Sequence, residues 1–379
     1  MEIKLIIKPL LFIICLNIPA AATPPLRYRN KVFNQVQITS DVQYGSNISN
    51  NGDKTDLYLD VYQPADDTAS NRPCVVLAHG GAFITGQKNE TVIATLCEEL
   101  ALRGYVTVSI QYRQGTSLNF RGFAEAILRA EQDMRAAVRF MRKNNTVYGI
   151  NAEKIAVGGI SSGAVTALHY AFMDNGEIPS EVDTTVLGGI EGNSGTPGVK
   201  SDISCVVNCW GAIGDTAFIQ ADEQFPVISL HGTDDNVVPY DAGFAFGMPF
   251  LPLYGSAAVD RQCRRLGIIS KLHAYEGMGH GHGVDEHMDT TVELISSFLY
   301  DNLFTAAPVV QTPSRIHRLP KSSPVRMVVA PGKTENDGIL KRTTAGTLFR
   351  PDGRMIGKAR LNGKSAASGV YLLRNTPAD

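Results

Sequence analysis

The feature that most constrains this fold is an alternation of short apolar strands with helical segments beyond about residue 62. The strands are rich in β-branched residues and almost continuously apolar, as strands covered on both faces must be. They are Val75–Ala78, Val106–Ile110, Ile155–Val157, Cys205–Val207, Val227–Leu230 and Leu272–Tyr275. The clearest helix, Gly122–Lys143, places apolar residues three or four positions apart. Strands alternating with helices predict an α/β fold with a doubly wound, mostly parallel sheet.

Different patterns flank this central region. Short alternating segments between about residues 30 and 62, beginning with Val32-Phe33, predict antiparallel strands at a sheet edge. Residues 305–324 are rich in proline and predict a linker. Beyond the boundary the charge changes sign, because residues 305–379 hold 13 Lys and Arg against 4 Asp and Glu. We therefore predict one large α/β domain over residues 23–304 and a small basic β module over residues 325–379, with strands at Val325–Val329, Gly346–Phe349 and Gly369–Leu373.

The first 22 residues have the layout of a secretory signal peptide. Lys4 and Lys8 precede an apolar stretch that is too short to span a membrane, and three alanines end at Ala22. Cys15 follows an isoleucine where a lipoprotein signal requires a small residue, which argues against a lipid anchor. The pattern predicts export.

Composition excludes several classes of protein. With 44% hydrophobic residues and a net charge of −2, the chain has ample material for a core and no basic excess that favours nucleic acid as a partner. Beyond the signal peptide it has five cysteines, so at least one thiol stays free. Cys205 and Cys209 are too far apart along one strand to pair with each other. No Cys/His cluster has zinc-ligand spacing, so we predict no metal site.

A candidate nucleophile lies between a predicted strand and a predicted helix. Gly159-Ile160-Ser161-Ser162-Gly163 follows Ile155–Val157 and matches the Gly-x-Ser-x-Gly nucleophile elbow in its required context. The elbow strains the backbone at Ser161, and a Cβ at either flanking glycine would collide with the neighbouring strand or helix. We expect Ser161 to be the nucleophile and Ser162 to contribute its backbone N–H.

A serine nucleophile requires a histidine base and a carboxylate that orients it, here in the order Ser, Asp, His. The strand Val227–Leu230 leads into a loop with Asp234 and Asp235. The next strand, Leu272–Tyr275, leads into a glycine-rich loop with His280 and His282. The required order is satisfied, and the spacing leaves both members of each pair as candidates.

Backbone donors for an oxyanion are predicted upstream. His79-Gly80-Gly81 follows the strand Val75–Ala78, where this class of site draws N–H groups from a glycine-rich loop. Glycines at 80 and 81 let the backbone approach a developing oxyanion closely.

These motifs together resemble the α/β-hydrolase superfamily over about residues 56–303, in particular carboxylesterases related to hormone-sensitive lipase and the bacterial acetyl and feruloyl esterases. His79-Gly80-Gly81 matches the oxyanion motif, with Ala82 where many members carry a third glycine. In the elbow, Ser162 stands where alanine is usual. His231-Gly232-Thr233-Asp234-Asp235 and Gly277-Met278-Gly279-His280-Gly281 match the acid and histidine loops. The resemblance implies Ser161, Asp235 and His280 as the triad, Gly80, Gly81 and Ser162 as the oxyanion hole, and no cofactor.

The tail is similar to the C-terminal sorting modules of proteins exported by type IX secretion. Asp352-Gly353-Arg354 and Gly369–Arg374 carry this likeness, which implies secretion machinery as a partner. A basic β module that binds acidic surface polymers is the alternative. With the signal peptide, the likeness predicts a secreted or cell-surface protein of a Gram-negative bacterium, the periplasm being the other destination.

The hypothesis is therefore a secreted serine carboxylesterase that acts on a small-molecule or polysaccharide-linked ester, such as an acetyl or feruloyl ester of plant polysaccharide. The alternatives are another α/β-hydrolase activity, such as a lipase or peptidase, and a non-catalytic surface-binding protein. Trp210 and the aromatic stretch Phe244–Tyr254 are candidate pocket walls. Asp133 and Arg135 are interpreted as structural salt-bridge partners.

Overall fold

A computed structural model describes residues 26–281, 283–305, 345–349 and 355–360. Its main element is an eight-stranded sheet. Across the sheet the strands follow the order β1 (Val36–Ile48), β2 (Lys54–Pro64), β4 (Val106–Ile110), β3 (Arg72–Ala78), β5 (Ile150–Ile160), β6 (Cys205–Cys209), β8 (Val227–Gly232) and β11 (Ser270–Tyr275). The predicted signal peptide and all but the first residue of the predicted linker lie outside the described residues.

The sheet is mostly parallel, as predicted. Six strands from β4 to β11 run parallel to one another, and β1 and β2 join antiparallel at one edge. All six predicted apolar strands form. The prediction was wrong for Val32-Phe33, since the first strand begins at Val36.

Helices cover both faces of the sheet. They are α1 (Thr91–Ala101), α2 (Phe120–Lys143), α3 (Asn145–Tyr148), α4 (Ser162–Phe172), α5 (Thr184–Leu187), α6 (Ser256–Arg265) and α7 (Gly283–Tyr300). Successive residues of β3 enter opposite cores: Val76 packs with α2 and α4, and Val75 with α1 and α7. This alternation confirms the doubly wound architecture. Within the described ranges no helix is long and apolar enough to cross a bilayer.

Two smaller sheets complete the described structure. In the first, β7 (Ala212–Ile213) and β9 (Ala242–Phe244) pair antiparallel with β10 (Pro252–Gly255) between them. The second is a hairpin of β12 (Ala345–Phe349) and β13 (Met355–Arg360), which contains the predicted strand Gly346–Phe349. The other two strands predicted for the C-terminal module lie outside the described residues.

Helix α2 carries charged side chains into the interior. The carboxylate of Asp133, wholly buried, accepts hydrogen bonds from the Arg113 backbone N–H at 2.8 Å and from its Nε at 2.9 Å. Arg135 pairs with Glu131 at 2.9 Å, one turn earlier. Asp133 and Arg135 thus each belong to an ion pair inside the fold, as the sequence predicted. Asp133 pairs with Arg113, and Arg135 pairs with Glu131. Such groups are tolerated in the interior only because each charge has its counter-ion and hydrogen bonds.

The five described cysteines are all free and buried. Burial raises the pKa of the Cys74, Cys209 and Cys263 thiols to about 12. The sequence argument required at least one free thiol and no bond between Cys205 and Cys209, and the structure agrees with both statements.

Replacing Asp133 by asparagine should destabilise the protein strongly, because the Arg113 guanidinium would stay buried without its counter-ion. We expect the free energy of unfolding to fall by about 3–5 kcal/mol in urea denaturation. The control is Arg121→Ala, which breaks the ion pair between exposed Arg121 and Glu125 on the same helix and should change the free energy of unfolding little, because solvent screens such a pair. Similar losses in the two variants would contradict this account of α2.

Candidate active site

Ser161 occupies a strained turn between β5 and α4. Its φ of 53° and ψ of −121° are a conformation that side-chain-bearing residues rarely adopt. A Cβ built at Gly159 would lie 2.5 Å from the Ala78 carbonyl oxygen, and one at Gly163 would lie 2.1 Å from the same atom. The predicted need for glycine at both flanks is therefore confirmed. The turn exposes the Ser161 side chain at the carboxyl edge of the sheet.

Three predicted site residues form one hydrogen-bonded row. Ser161 Oγ lies 2.9 Å from His280 Nε2, and His280 Nδ1 lies 2.7 Å from Asp235 Oδ2. The carboxylate can only accept, so Nδ1 carries the proton and Nε2 is left to accept from the serine hydroxyl. The three residues follow β5, β8 and β11, whose carboxyl ends meet at one edge because the strands are parallel. His282 lies outside the described residues.

Asp235, rather than Asp234, faces the histidine. Its side chain is fully buried, and its second oxygen, Oδ1, accepts the backbone N–H groups of Val237 at 2.8 Å and Val238 at 2.9 Å. Asp234 is exposed and contacts only the Thr233 hydroxyl, at 3.4 Å, among the side-chain contacts of the described residues. Asp235 is thus held on both oxygens, which fixes the direction in which it faces the imidazole.

The acid loop and the histidine loop are tied together by hydrogen bonds. The backbone N–H of Thr233 donates to the Tyr275 carbonyl at 3.1 Å, and its hydroxyl accepts the Gly277 N–H at 2.8 Å. The Asp234 N–H donates to the Met278 carbonyl at 2.9 Å. These bonds fix one loop against the other, so the separation of carboxylate and imidazole does not depend on either loop alone.

His231 supports the carboxylate from behind, a role that the sequence reasoning missed. Its fully buried Nε2 lies 3.1 Å from both Asp235 Oδ2 and the Val238 carbonyl oxygen. Two acceptors require Nε2 to carry a proton, and Nδ1 lies 2.7 Å from the Ser256 hydroxyl. Asn208 Nδ2 in turn donates to Ser256 Oγ at 2.9 Å. The only sequence signal was the position of His231 four residues before the acid.

Hydrogen bonds decide the charge state of Asp235. Burial by itself raises the pKa of this carboxyl, but the bonds from His231 and His280 outweigh burial and hold the pKa well below its usual range. Asp235 is therefore ionised at neutral pH, as it must be to stabilise a positively charged imidazolium beside it.

The predicted oxyanion donors lie next to the serine. A Cβ built on Gly80 would be 3.2 Å from the Ser161 Cβ. Gly81 has a φ of 108°, and a Cβ there would lie 2.1 Å from the Thr85 carbonyl oxygen, so only glycine fits. Ser162 is the first residue of α4, where backbone N–H groups have no partner within the helix. The N–H groups of Gly80, Gly81 and Ser162 donate to no acceptor among the described residues.

The two predicted pocket walls differ in where they lie. Trp210 is buried and packs edge-on against the His280 ring, with 6.5 Å between ring centroids. In the stretch Phe244–Tyr254, Phe244 is exposed, whereas Leu251 and Leu253 line an apolar cavity of about 90 Å³ that includes none of the three triad residues. The structure therefore places Trp210 beside the triad histidine, and Leu251 and Leu253 of the stretch at another cavity.

The chain is similar to known proteins over part of its length. Residues 59–223 match the BD-FAE family profile. Rat (Rattus norvegicus) acylcarnitine hydrolase is 28% identical over 196 residues, which are 45% of this chain and 33% of that enzyme. Carboxylesterase 3 of Pongo abelii is 37% identical over 114 residues, 28% of this chain and 19% of the relative. The chain thus spans about a third or less of the length of these curated relatives.

Solved structures match over more of the chain. A truncated carbohydrate esterase from gut microbiota has a TM-score of 0.53 at 20% identity and covers 72% of this chain and 97% of its own. At that identity the likeness establishes the fold. The predicted α/β-hydrolase fold and the resemblance to carboxylesterases are both confirmed.

Substitution of the two neighbouring aspartates separates their roles. Asp235→Asn presents an amide to His280 Nδ1 and favours the wrong imidazole tautomer, so we expect hydrolysis of p-nitrophenyl acetate to lose about 10³- to 10⁴-fold in kcat. Asp234→Asn changes an exposed carboxylate and should stay within about twofold of the unaltered protein. Equal losses, or a larger loss at position 234, would overturn the assignment of the acid.

Proposed function

We propose that this protein is a serine carboxylesterase. The observation that carries the proposal is the continuous row from the Ser161 hydroxyl through the His280 imidazole to the buried Asp235 carboxylate, with contacts of 2.9 Å and 2.7 Å. The similarity to acylcarnitine hydrolase and carboxylesterase 3, both named for ester hydrolysis, supports ester rather than peptide as the substrate class. No cofactor is needed for this chemistry.

Acylation begins when Ser161 Oγ attacks the ester carbonyl carbon while His280 Nε2 takes the hydroxyl proton. The carbonyl oxygen becomes a tetrahedral oxyanion, which the N–H groups of Gly80, Gly81 and Ser162 stabilise. Asp235 stabilises the imidazolium formed beside it. When the intermediate collapses, the bond to the leaving oxygen breaks, His280 gives the proton to the departing alcohol, and the acyl group remains on Ser161.

Deacylation repeats these steps with water. The water oxygen attacks the acyl carbon while His280 Nε2 takes a proton from the water. A second oxyanion then forms at the same N–H groups. Collapse of this intermediate breaks the bond to Ser161 Oγ, which recovers its proton from His280. The free acid leaves and the site returns to its starting state.

The finer proposal is that the protein is exported and acts on acetyl or feruloyl esters of plant polysaccharide. The signal-peptide pattern of residues 1–22 supports export. The motif resemblance to bacterial acetyl and feruloyl esterases, together with the fold shared with a carbohydrate esterase, supports the substrate class. In this proposal the basic tail, residues 325–379, serves sorting during secretion.

Replacing Ser161 by alanine tests the nucleophile. We expect kcat for p-nitrophenyl acetate to fall by about 10³-fold or more, because no other group at the site can form the acyl intermediate. A fluorophosphonate should lose fluoride and add covalently to Ser161 in the unaltered protein, and intact-mass measurement should find no adduct on Ser161→Ala. The matched control is Ser180→Ala, an exposed serine, which should react normally. Near-normal hydrolysis by Ser161→Ala would refute the mechanism.

A panel of esters tests the substrate class. We expect higher kcat/KM for acetylated xylan oligosaccharides and methyl ferulate than for p-nitrophenyl decanoate, measured on the full chain. The highest kcat/KM on the decanoyl ester would instead indicate a lipase-like enzyme. Labelling by fluorophosphonate without turnover of any ester in the panel would direct the search to peptide substrates.

A further inference from the structure

A single buried hydroxyl lies where the oxyanion loop meets the nucleophile elbow. Tyr112, two residues beyond β4, is 2% exposed. Its Oη lies 3.1 Å from the His79 carbonyl oxygen, 3.4 Å from the Gly80 carbonyl oxygen and 3.2 Å from Ser162 Oγ. The mechanism proposed for Ser161, His280 and Asp235 does not involve Tyr112. The three polar contacts of Tyr112 therefore require another explanation.

Peptide planarity links these carbonyls to the predicted donors. The His79 carbonyl and the Gly80 N–H belong to one peptide unit, and the Gly80 carbonyl and the Gly81 N–H belong to the next. In a trans peptide the C=O and N–H point in opposite directions. Both carbonyls turn toward Tyr112 Oη, so both N–H groups turn away from it. Fixing the two carbonyls therefore fixes the direction of both donors.

His79 restrains the same loop through two further contacts. Its Nδ1 donates to the Gly80 carbonyl at 2.6 Å, and its ring stacks on the Tyr112 ring at 4.4 Å with 17° between the planes. Gly86 packs directly against the His79 ring, because a Cβ built on Gly86 would lie 2.4 Å from His79 Nδ1. Burial lowers the pKa of His79 to about 4, so the ring is uncharged at neutral pH.

Ser162 connects the hydroxyl to the third donor. Tyr112 has one proton, which goes to a carbonyl, so the Ser162 hydroxyl donates to Tyr112 Oη. Ser162 also supplies the N–H at the first position of α4. The same phenol thus contacts all three peptide segments that carry oxyanion donors, and alanine, usual at position 162 in the resembling esterases, would lack the third contact.

We propose that Tyr112 is a positioning residue that aligns the three oxyanion donors through its hydroxyl. The inference rests on the proposed esterase function, because alignment matters only where a carbonyl oxygen gains charge. Through the three donors, Tyr112 stabilises the transition state more than the ground state, because the ground-state carbonyl oxygen needs these donors less than the oxyanion does.

Tyr112→Phe tests the hydroxyl while keeping the ring that stacks on His79. We expect kcat for p-nitrophenyl acetate to fall by about tenfold to a hundredfold with little change in KM, as for a misaligned oxyanion hole. The pH dependence of kcat/KM should be the same in the variant and in the unaltered protein, because the contacts among Ser161, His280 and Asp235 are untouched. An alkyl trifluoromethyl ketone, which forms a tetrahedral adduct with serine, should lose affinity by the same factor as kcat/KM.

The control is Tyr170→Phe, which removes another buried tyrosine hydroxyl that donates to a backbone carbonyl, that of Ser201. It should leave kcat and ketone affinity within about twofold. A general folding defect lowers the number of sites titrated by fluorophosphonate and leaves the ketone affinity of the remaining sites unchanged. Rates are therefore expressed per titrated site.

The outcomes distinguish a failure of the positioning role of Tyr112 from a failure of the proposed esterase function. An unaltered protein that hydrolyses esters, with a Tyr112→Phe variant equal to it per titrated site, overturns the positioning role alone. Equal losses in Tyr112→Phe and Tyr170→Phe, or lost turnover with unchanged ketone affinity, overturn it as well. An unaltered protein that neither hydrolyses esters nor reacts with the fluorophosphonate overturns the proposed function itself.

Discussion

The close approach of α4 to the end of β3 is the constraint on which the site depends. Gly159 and Gly163 both face the Ala78 carbonyl oxygen at distances that exclude any side chain. This contact forces the strained backbone at Ser161 and also brings the chain after Ala78, which carries Gly80, against the serine. Nucleophile and oxyanion loop are therefore consequences of one packing contact. Strain of this kind persists only where the surrounding structure leaves the backbone no alternative.

The other half of the site is a consequence of sheet topology. Because β5, β6, β8 and β11 are parallel neighbours, loops that are far apart in sequence leave the sheet at the same edge. The acid and histidine loops are then bonded to each other through Thr233 and Gly277. Behind them a buried polar chain from His231 to Ser256 and Asn208 supports the carboxylate. Every buried member has a partner, which makes such a network rigid.

The sequence predicted what periodicity and motifs encode. Continuous apolar runs identified the six parallel strands, and the elbow motif in its strand-turn-helix context identified Ser161. Motif order located the acid and histidine loops, and the family resemblance then selected Asp235 and His280, which the structure brings into contact. From the residues alone, the sequence left two candidates in each loop. It could not predict Tyr112 or His231 as supporting residues, because their contacts depend on how separate elements pack. Nor could it tell that Leu251 and Leu253 line a cavity without triad residues, since composition does not specify the direction of a side chain. The catalytic motifs could therefore be predicted from the sequence, whereas the hydrogen bonds between distant elements could not.

The free and buried thiols have a practical consequence. Cys74, Cys97, Cys205, Cys209 and Cys263 form no covalent cross-links, so the described fold is held by non-covalent contacts. The described fold therefore forms without an oxidant or a disulfide isomerase, and a reducing bacterial cytosol suits recombinant production of this part of the chain. The five described thiols should react with alkylating reagents only after the protein unfolds, because burial keeps them protonated and away from solvent.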